Sequence, residues 1–244
     1  MQKLLVIIPA YNEEAAIRKT VEGLKAVCPE ADYVVINDCS RDNTRQVLRD
    51  AGMNYIDLPL NLGIGGGVQT GFKYAAERGY DIAIQFDGDG QHRADFIGDI
   101  IKPILDGEAD MVVGSRFLPS EQTEPGFRSS RMRRVGIHII RRLIKLCTGC
   151  TVYDTTSGFR AFSKDMIACF AEDYAQDYPE PEAIITALYK GFRVKEVPVL
   201  MNERQGGVSS INALKSAHYM IKVTLAILIA GMRVSGRKEG KTHE

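Results

Sequence analysis

The sequence predicts an α/β fold with a mostly parallel sheet flanked by helices. In the first half of the chain, short runs rich in β-branched residues alternate with segments whose apolar residues recur near every 3.6 positions. The chain has 244 residues, of which 45% are hydrophobic and 25% charged, and these values are ordinary for globular proteins. This length is sufficient for one large domain with a substantial core.

The first half contains five predicted strands and four predicted helices. The strands are expected at residues 3–9, 33–38, 54–59, 81–87 and 110–115. The helices between them are expected at residues 13–28, 42–51, 66–78 and 94–106. Asp42 and Asn43 are short polar residues of the kind that begin helices, and the turn sequences ERGYD and DGEAD follow the third and fourth helices.

The pattern changes after about residue 117. A loop rich in Pro, Ser, Gly and Arg is expected at 117–131, followed by an amphipathic helix at 132–148. The remaining elements are expected to be a glycine-containing turn at DTTSGFR, a helix near 180–190, a strand at 192–201, a loop at 202–210 and a C-terminal helix at 211–233. Because no internal repeat or low-complexity linker is present, residues 1–235 are expected to form a single domain and residues 236–244 a disordered tail.

Charge and cysteine content disfavour several classes of protein. Lys plus Arg and Asp plus Glu each number 31, so no global field attracts nucleic acid, and a general nucleic-acid binder is disfavoured. Five irregularly spaced cysteines and an N-terminal apolar run too short for a signal peptide favour a reduced cytosolic protein. The CTGC pair of Cys147 and Cys150 has no second pair to complete a structural zinc site, so buried thiols are the simpler interpretation.

The fourth predicted strand ends in the sequence FDGDGQH, with Asp87 and Asp89 separated only by Gly88. In an extended segment these carboxylates would share one face, and without a cation one of them would take up a proton. A hard divalent ion such as Mg²⁺ or Mn²⁺ resolves the repulsion, with Gln91 as a neutral oxygen ligand and His92 as a ligand better suited to Mn²⁺. The alternative is a solvated turn, because DGDG is also good turn chemistry.

Other polar residues lie at predicted strand ends, where open α/β sheets bind ligands. Asp38 follows the second strand and is placed to meet a base or ribose, or else to cap a helix. The glycine-rich stretch 61–71 permits close approach of phosphate or ribose, but its order is not the dinucleotide fingerprint, which disfavours a dehydrogenase. Arg116 and Arg204 suit a phosphate clamp, with surface arginines as the alternative.

A local basic patch accompanies the amphipathic helix at 132–148. Such a patch suits an anionic lipid headgroup or a phosphate at a membrane surface, and a solvated helix face is the alternative. The apolar segment 223–232 has about half of the roughly 20 residues that cross a bilayer, so it is either a core helix or an interfacial one. The basic patch consists of Arg128, Arg131, Arg133, Arg134, Arg141, Arg142 and Lys145.

Seven motifs in order resemble the family 2 inverting glycosyltransferases of GT-A fold, and within them the dolichol- and polyprenol-phosphate sugar transferases. The likeness covers about residues 3 to 210. The motifs are IPAYNEE, VVINDCSRDNT, NLGIGGGVQTGFKYA, QFDGDGQH, VVGSRF, DTTSGFRAFSKD and RQGGVSS.

The resemblance implies a nucleotide-sugar donor, with a UDP-sugar favoured, bound over residues 1–116, and an acceptor bound over residues 117–235. The family's metal-binding D-x-D-x-Q set falls on Asp87, Asp89 and Gln91, which would join Mg²⁺ or Mn²⁺ to the diphosphate. Arg204 falls on the loop that closes on the donor phosphate. The residues implied to bind the nucleotide sugar are Pro9, Ala10, Tyr11, Glu13, Asp38, Asp87, Gly88, Arg116 and Arg204, and those implied for the acceptor phosphate are Arg128 and Arg131.

The nature of the acceptor stays open at the level of sequence. A polyprenyl phosphate is already ionised and needs no base, whereas a sugar hydroxyl on a lipid-linked glycan needs a carboxylate to take its proton. Glu182 lies near the place of the acidic base in hydroxyl-using relatives, with Glu180 as its rival and a helix-opening residue as the alternative. The implied catalytic residues are therefore Asp89, Glu182 and Arg204. Ser210 stands where the polyprenol-phosphate enzymes usually have lysine.

The residues together with this resemblance predict a metal-dependent inverting hexosyltransferase of cell-envelope polysaccharide synthesis. It is expected to be cytoplasmic and peripheral at the inner face of the cell membrane, and its oligomeric state is not predicted. The alternatives are a nucleotidyltransferase and a non-catalytic module that binds nucleotide sugars.

Overall fold

The computed structural model describes residues 2–118, 131–202 and 222–225. Seven strands form one sheet in the order β3-β2-β1-β4-β6-β5-β7. The strands are β1 (Leu4–Ala10), β2 (Asp32–Asn37), β3 (Tyr55–Asp57), β4 (Ile82–Gln85), β5 (Met111–Ser115), β6 (Arg160–Ser163) and β7 (Val194–Pro198). The helices are α1 (Ile17–Val27), α2 (Thr44–Asp50), α3 (Gly63–Glu77), α4 (Ile97–Leu105), α5 (Arg131–Thr148), α6 (Lys164–Glu172) and α7 (Pro179–Tyr189).

The sheet is parallel except for β6, which runs antiparallel to both β4 and β5. Since β6 is reversed, its first residue lies at the edge where the parallel strands finish: Arg160 is paired with Gln85 on β4 and with Val113 on β5. Strands from both halves of the sequence therefore meet in one sheet, and β6 and β7 flank β5. The boundaries expected for the domain, residues 1–235, stay a prediction.

Apolar cores cover both faces of the sheet, because the central strands alternate their side chains between two helical layers. On β1, Leu5 and Ile7 face the layer that contains α3, α5, α6 and α7, whereas Val6 and Ile8 face α1, α2 and α4. The first layer includes an aromatic cluster in which Phe72 packs edge-on against Phe162 with ring centroids 4.9 Å apart. The sheet is thereby buried on both faces, and its carboxyl edge is left for the loops.

Glycines in α3 allow that helix to lie directly on its neighbours. A Cβ at Gly71 would overlap the side chain of Ile7, and a Cβ at Gly65 would overlap the backbone of Ala175 and Gln176. At these two positions the glycine is required by packing. This differs from the predicted use of the whole stretch for phosphate or ribose approach.

Most predicted elements are confirmed with bounds that differ by a few residues, and two were missed. Residues 160–163, expected within or next to a turn, form β6, and α6 follows, with the Ser163 hydroxyl accepting a hydrogen bond from Met166 N at 3.4 Å. A 3₁₀ turn at Ala94–Phe96 precedes α4. At the start of α2, Asn43 makes no capping hydrogen bond through its side chain, and Asp42 Oδ1 accepts one from Thr44 N at 3.0 Å instead.

Several predictions fall on residues outside the described ranges. They are most of the loop 117–131, the loop around Arg204, the tail 236–244 and the C-terminal helix 211–233, of which only residues 222–225 are described, as helix. Among the described helices, none combines the length and hydropathy that a membrane span requires.

Candidate active site

The loops that follow β1 and β2 bind each other at the carboxyl edge of the sheet. Glu13 N donates to Thr44 Oγ1 at 2.8 Å, and Asn43 N donates to Glu14 Oε2 at 2.8 Å. Asn12 accepts from Arg41 N through its Oδ1 at 2.8 Å. These hydrogen bonds between the two loops use backbone N–H donors near helix starts. They fix the loops at the edge of the sheet where a nucleotide is predicted to bind.

The predicted base and ribose residues lie along this edge. Ala10 is buried, and its carbonyl accepts from Asp38 N at 2.9 Å, whereas Tyr11 is 42% exposed and presents its ring to solvent. Pro9 is on β1 opposite Ile36. The structure therefore brings Pro9, Ala10, Tyr11 and Asp38 together.

Asp38 caps a helix, although not the one that follows it in sequence. The residue is 5% exposed, and its Oδ1 accepts a hydrogen bond from Leu62 N at 2.7 Å, at the start of α3. Asn61 Nδ2 also donates to the Asp38 carbonyl at 2.9 Å. The capping interpretation is thus correct for one carboxylate oxygen, and a contact with base or ribose stays a prediction.

Gly88 lets the loop after β4 lie against β1. A Cβ at this position would be 3.1 Å from the Pro9 carbonyl oxygen and 3.2 Å from Ile17 Cδ1, so the space suits only glycine without adjustment. The Thr20 hydroxyl donates to the Gly88 carbonyl at 3.2 Å. Gly88 is thereby fixed against β1. Its chain neighbours Asp87 and Asp89 lie beside the edge of the sheet at which a nucleotide is predicted to bind.

The two carboxylates are positioned by a turn. β4 ends at Gln85, residues 88–90 turn with a φ of +76° at Gly90, and Asp89 Oδ1 accepts from Gln91 N at 3.0 Å. The prediction of an extended segment at Asp87 and Asp89 is therefore wrong, since the strand stops before Asp87. The turn alternative describes the backbone correctly, but a turn of this kind also concentrates oxygen ligands.

Asp87 is held between His92 and Gly158. Asp87 N donates to His92 Nδ1 at 2.9 Å, and His92 Nε2 lies 3.5 Å from Asp87 Oδ2. On the other side, a Cβ at residue 158 would lie 2.6 Å from Asp87 Oδ2. Burial lowers the pKa of His92 to about 4, with Asp89 opposing the shift, so the ring is neutral near pH 7. Because Nδ1 is already an acceptor for Asp87, the predicted use of His92 as a Mn²⁺ ligand is not favoured.

The donor set fits a divalent ion that arrives with a diphosphate. Carboxylates from Asp87 and Asp89 and the amide of Gln91 are hard oxygen ligands. Within the described ranges, no three His, Cys, Asp or Glu side chains are grouped as a complete metal cage. Two carboxylates with substrate phosphates and water are the usual environment of Mg²⁺ in such sites.

Arg116 forms a buried ion pair that the sequence did not reveal. Its Nε and Nη2 each lie 2.7 Å from one oxygen of Asp154, and its backbone N–H also donates to that carboxylate at 3.0 Å. The side chains of Arg116 and Asp154 are 8% and 0% exposed. Because Asp154 balances its charge, Arg116 is suited to fixing the segment around Asp154, and its contact with donor phosphate stays a prediction.

Arg160 is a second buried arginine that sequence reasoning missed. It is fully buried at the start of β6 and donates to the carbonyl oxygens of Ser157 at 2.6 Å and Glu180 at 2.7 Å. A longer contact of 3.4 Å reaches the Thr155 carbonyl. Arg160 therefore joins the segment that carries Gly158 to the first turn of α7.

Glu180 and Glu182 both lie in the first turn of α7 and are half-buried. Burial is the main cause that raises the pKa of Glu180. The positive charge of Arg160 opposes this rise, and the negative charge of Asp87 adds to it. This influence of Asp87 places Glu180 within electrostatic reach of the predicted metal site. The choice between Glu182 and its rival Glu180 as the candidate base stays a prediction.

The predicted acceptor side is described only in part. Arg128 and Arg204 lie outside the described residues, and of Arg131 only its place at the start of α5 is described. On α5, Ile140 and Ile144 are buried, whereas Ile139 and Leu146 are 44% and 83% exposed.

Comparisons of sequence find a matching family and related transferases. The family model described as glycosyl transferase family 2 matches residues 5–170. A UDP-N-acetylglucosamine–dolichyl-phosphate N-acetylglucosaminyltransferase from Methanococcus voltae is 32% identical over 215 residues, covering 80% of this chain and 84% of the relative. An undecaprenyl-phosphate mannosyltransferase from Micrococcus luteus is 26% identical over 230 residues, covering 91% of this chain and 93% of the relative.

Comparison of structures confirms the predicted GT-A fold. A crystal structure of glucosyl-3-phosphoglycerate synthase from Mycobacterium tuberculosis, in complex with Mn²⁺, UDP-glucose and phosphoglyceric acid, matches with a TM-score of 0.71. The identity is 19%, and the match covers 93% of this chain and 79% of that chain. With a family match across most of the chain and a relative above 30% identity, this chain belongs to glycosyl transferase family 2.

Proposed function

We propose that this chain is a metal-dependent inverting glycosyltransferase that moves a hexose from a UDP-sugar to polyprenyl phosphate. The observation that carries the proposal is the turn at residues 87–91, which fixes two carboxylates at the carboxyl end of β4 beside the nucleotide edge. The names of the relatives from Methanococcus voltae and Micrococcus luteus, which specify dolichyl and undecaprenyl phosphate, support this class of acceptor. Both relatives are covered over most of their length.

The donor is proposed to lie across the ends of β1, β2 and β4. Tyr11 offers an exposed ring to the base, and Asp38 lies next to it on the neighbouring loop. Asp87, Asp89 and Gln91 would hold Mg²⁺ or Mn²⁺, which supplies positive charge to the diphosphate as it leaves. Arg204 is proposed as a further ligand of the donor phosphate, and direct displacement at the anomeric carbon inverts its configuration.

The acceptor phosphate is proposed to bind on the side of α5. Polyprenyl phosphate is anionic, so it attacks without a base, and Arg128 and Arg131 are proposed as its ligands. Exposed Arg142, Lys145 and Leu146 on α5 combine basic and apolar side chains, which suits the surface of an anionic bilayer. We accordingly place the enzyme on the cytoplasmic face of the cell membrane as a peripheral protein of cell-envelope polysaccharide synthesis.

A lipid-linked glycan is the second candidate acceptor, and one observation favours it. Glu180 has a raised pKa and lies within electrostatic reach of Asp87, as expected for a base that accepts a proton from a sugar hydroxyl. The two acceptors are separated by Glu180→Gln. Transfer to polyprenyl phosphate is expected to persist in this variant, whereas transfer to a hydroxyl would fall by about 100-fold or more.

The proposal is tested with the full chain, UDP- and GDP-hexoses, Mn²⁺ or Mg²⁺, and vesicles that contain undecaprenyl phosphate or a lipid-linked glycan. The lipid product is identified by mass spectrometry, and Asp89→Asn serves as the metal-site variant. A hexosyl-phosphate lipid that depends on both the metal and Asp89 supports the proposal. Nucleotide-sugar binding without transfer to either acceptor would refute it in favour of a non-catalytic module.

A further inference from the structure

His92 contacts Asp87 at two points. Its Nδ1 accepts a hydrogen bond from Asp87 N at 2.9 Å, and its Nε2 lies 3.5 Å from Asp87 Oδ2. Since Nδ1 is the acceptor, the proton of the neutral ring is assigned to Nε2, on the side of the carboxylate. One side chain therefore contacts both the backbone and the carboxylate of the first predicted metal ligand.

The imidazole ring is itself held by aromatic packing. It stacks on Phe159 with ring centroids 5.0 Å apart and planes 17° apart, and it meets Phe86 edge-on at 5.4 Å. Phe86 and Phe159 are both buried, and His92 is 6% exposed. The backbone of His92 also forms an antiparallel bridge with Met201. These contacts restrict the orientation of the ring and so restrict the position of Asp87.

The far side of the same loop is bound independently. Asn202 donates through its backbone N to the Gln91 carbonyl at 2.9 Å and through its side-chain Nδ2 to the Gly90 carbonyl at 3.3 Å. Residues 90–92 are thereby anchored to residues 201–202. The Asp87 carboxylate itself lies next to the His92 ring at one side and next to Gly158 at the other.

We propose that His92 is a positioning residue that orients Asp87 to bind the divalent cation. The proposal rests on the metal site of the proposed function. Groups that orient a metal ligand in this way commonly change metal affinity by about 10–100-fold when they are replaced. A purely structural histidine in this aromatic setting would instead be replaced without loss by an apolar side chain of similar size.

Two substitutions of nearly equal size separate these roles. His92→Asn keeps an acceptor near the position of Nδ1, whereas His92→Leu removes it and fits the surroundings of Phe86 and Phe159 better. Mn²⁺ binding to the UDP-loaded full chain is measured by electron paramagnetic resonance, and stability by thermal unfolding. The same pair of substitutions at His138, an exposed residue on α5, is the matched control.

The expected result is a Mn²⁺ dissociation constant about 10-fold or more above the wild type in His92→Leu, with His92→Asn closer to the wild type although it is no more stable. Mn²⁺ binding by His92→Leu as tight as that by His92→Asn would overturn the proposal. If either variant does not fold, His92→Gln, which loses the Nδ1 acceptor, is compared with the wild type, and unchanged Mn²⁺ binding overturns the proposal. Wild-type Mn²⁺ binding by Asp89→Asn would instead contradict the proposed metal site.

Discussion

Replacing Gly158 by alanine adds a methyl group directly beside the Asp87 carboxylate. The added Cβ would lie 2.6 Å from Oδ2 and 3.0 Å from Oδ1. An ordinary contact needs about 3.4 Å, so the carboxylate must retreat by about 0.8 Å. Gly158 does not have a left-handed φ, so the backbone tolerates alanine and the effect is confined to the contact.

The consequence for activity follows from the displacement. A shift of about 1 Å in a catalytic group costs roughly 100-fold in rate, so we expect kcat/KM for sugar transfer to fall by about 10–100-fold in Gly158→Ala. The Mn²⁺ concentration for half-maximal activity should rise in parallel. The free energy of unfolding should fall by only about 1 kcal/mol, the low end for overpacking.

The assay compares Gly158→Ala with Gly98→Ala across a Mn²⁺ titration. Gly98 lies in α4, and an added Cβ there would meet no atom within 4 Å, so its variant is expected to keep wild-type activity. If Gly158→Ala shows wild-type activity and a wild-type Mn²⁺ requirement, the placement of Asp87 against Gly158 has no part in catalysis.

Four further predictions concern stability and membrane binding. Arg160→Met should lower the free energy of unfolding in urea by about 2–4 kcal/mol, because the buried carbonyl of Ser157 and the partly buried carbonyl of Glu180 lose short hydrogen bonds from a charged donor while the cost of burying that charge is relieved. The pKa of Glu180 is raised in the folded state, so ionising this carboxyl lowers the free energy of unfolding once the pH exceeds its pKa in the unfolded state. Glu180→Gln removes this cost and should therefore stabilise the protein more at pH 8 than at pH 4. Gly71→Ala should destabilise by about 1–3 kcal/mol, because its Cβ overlaps Ile7. Lys145→Glu should weaken sedimentation with anionic vesicles by about fivefold or more.

Each of these predictions has a control elsewhere on the chain. Effects within about 0.5 kcal/mol of the exposed-site control would contradict the predictions for Arg160 and Gly71. A pH-independent effect of Glu180→Gln would contradict its raised pKa, and vesicle binding unaffected by Lys145→Glu would contradict the proposed membrane face. The controls are Arg49→Met, Gly23→Ala, Glu22→Gln and Lys25→Glu, all at exposed positions.

The parallel strands and the helices between them could be predicted because the spacing of apolar residues along each segment reflects which of its faces are buried. β1 and β2 are apolar runs, since both faces of each strand are covered by helices. β6 gave no such signal: it has four residues and begins with a charged one, Arg160, which is buried through hydrogen bonds to residues as distant as Glu180. Such a strand is defined by tertiary contacts that a local pattern does not contain.

In the candidate site, too, local patterns could be predicted from the sequence and tertiary contacts could not. The carboxylates proposed to bind the metal could be singled out because two aspartates after a strand are a local pattern, although the backbone that presents them is a turn. The partner of Arg116 was not found, since Asp154 is 38 positions away and nothing local marks it as buried. The contact of His92 with Asp87 is local in sequence, but it depends on the ring orientation set by Phe159, which only the fold provides.

The central claim is that a divalent cation held by Asp87 and Asp89 drives transfer of a hexose to a polyprenyl phosphate. The most direct measurement is the mass of the lipid formed from UDP-hexose and undecaprenyl phosphate by wild type and Asp89→Asn, each with Mn²⁺ and with chelator. We predict a hexosyl-phosphate lipid with wild type and Mn²⁺ only. The same yield from Asp89→Asn, or from wild type in chelator, would contradict the claim.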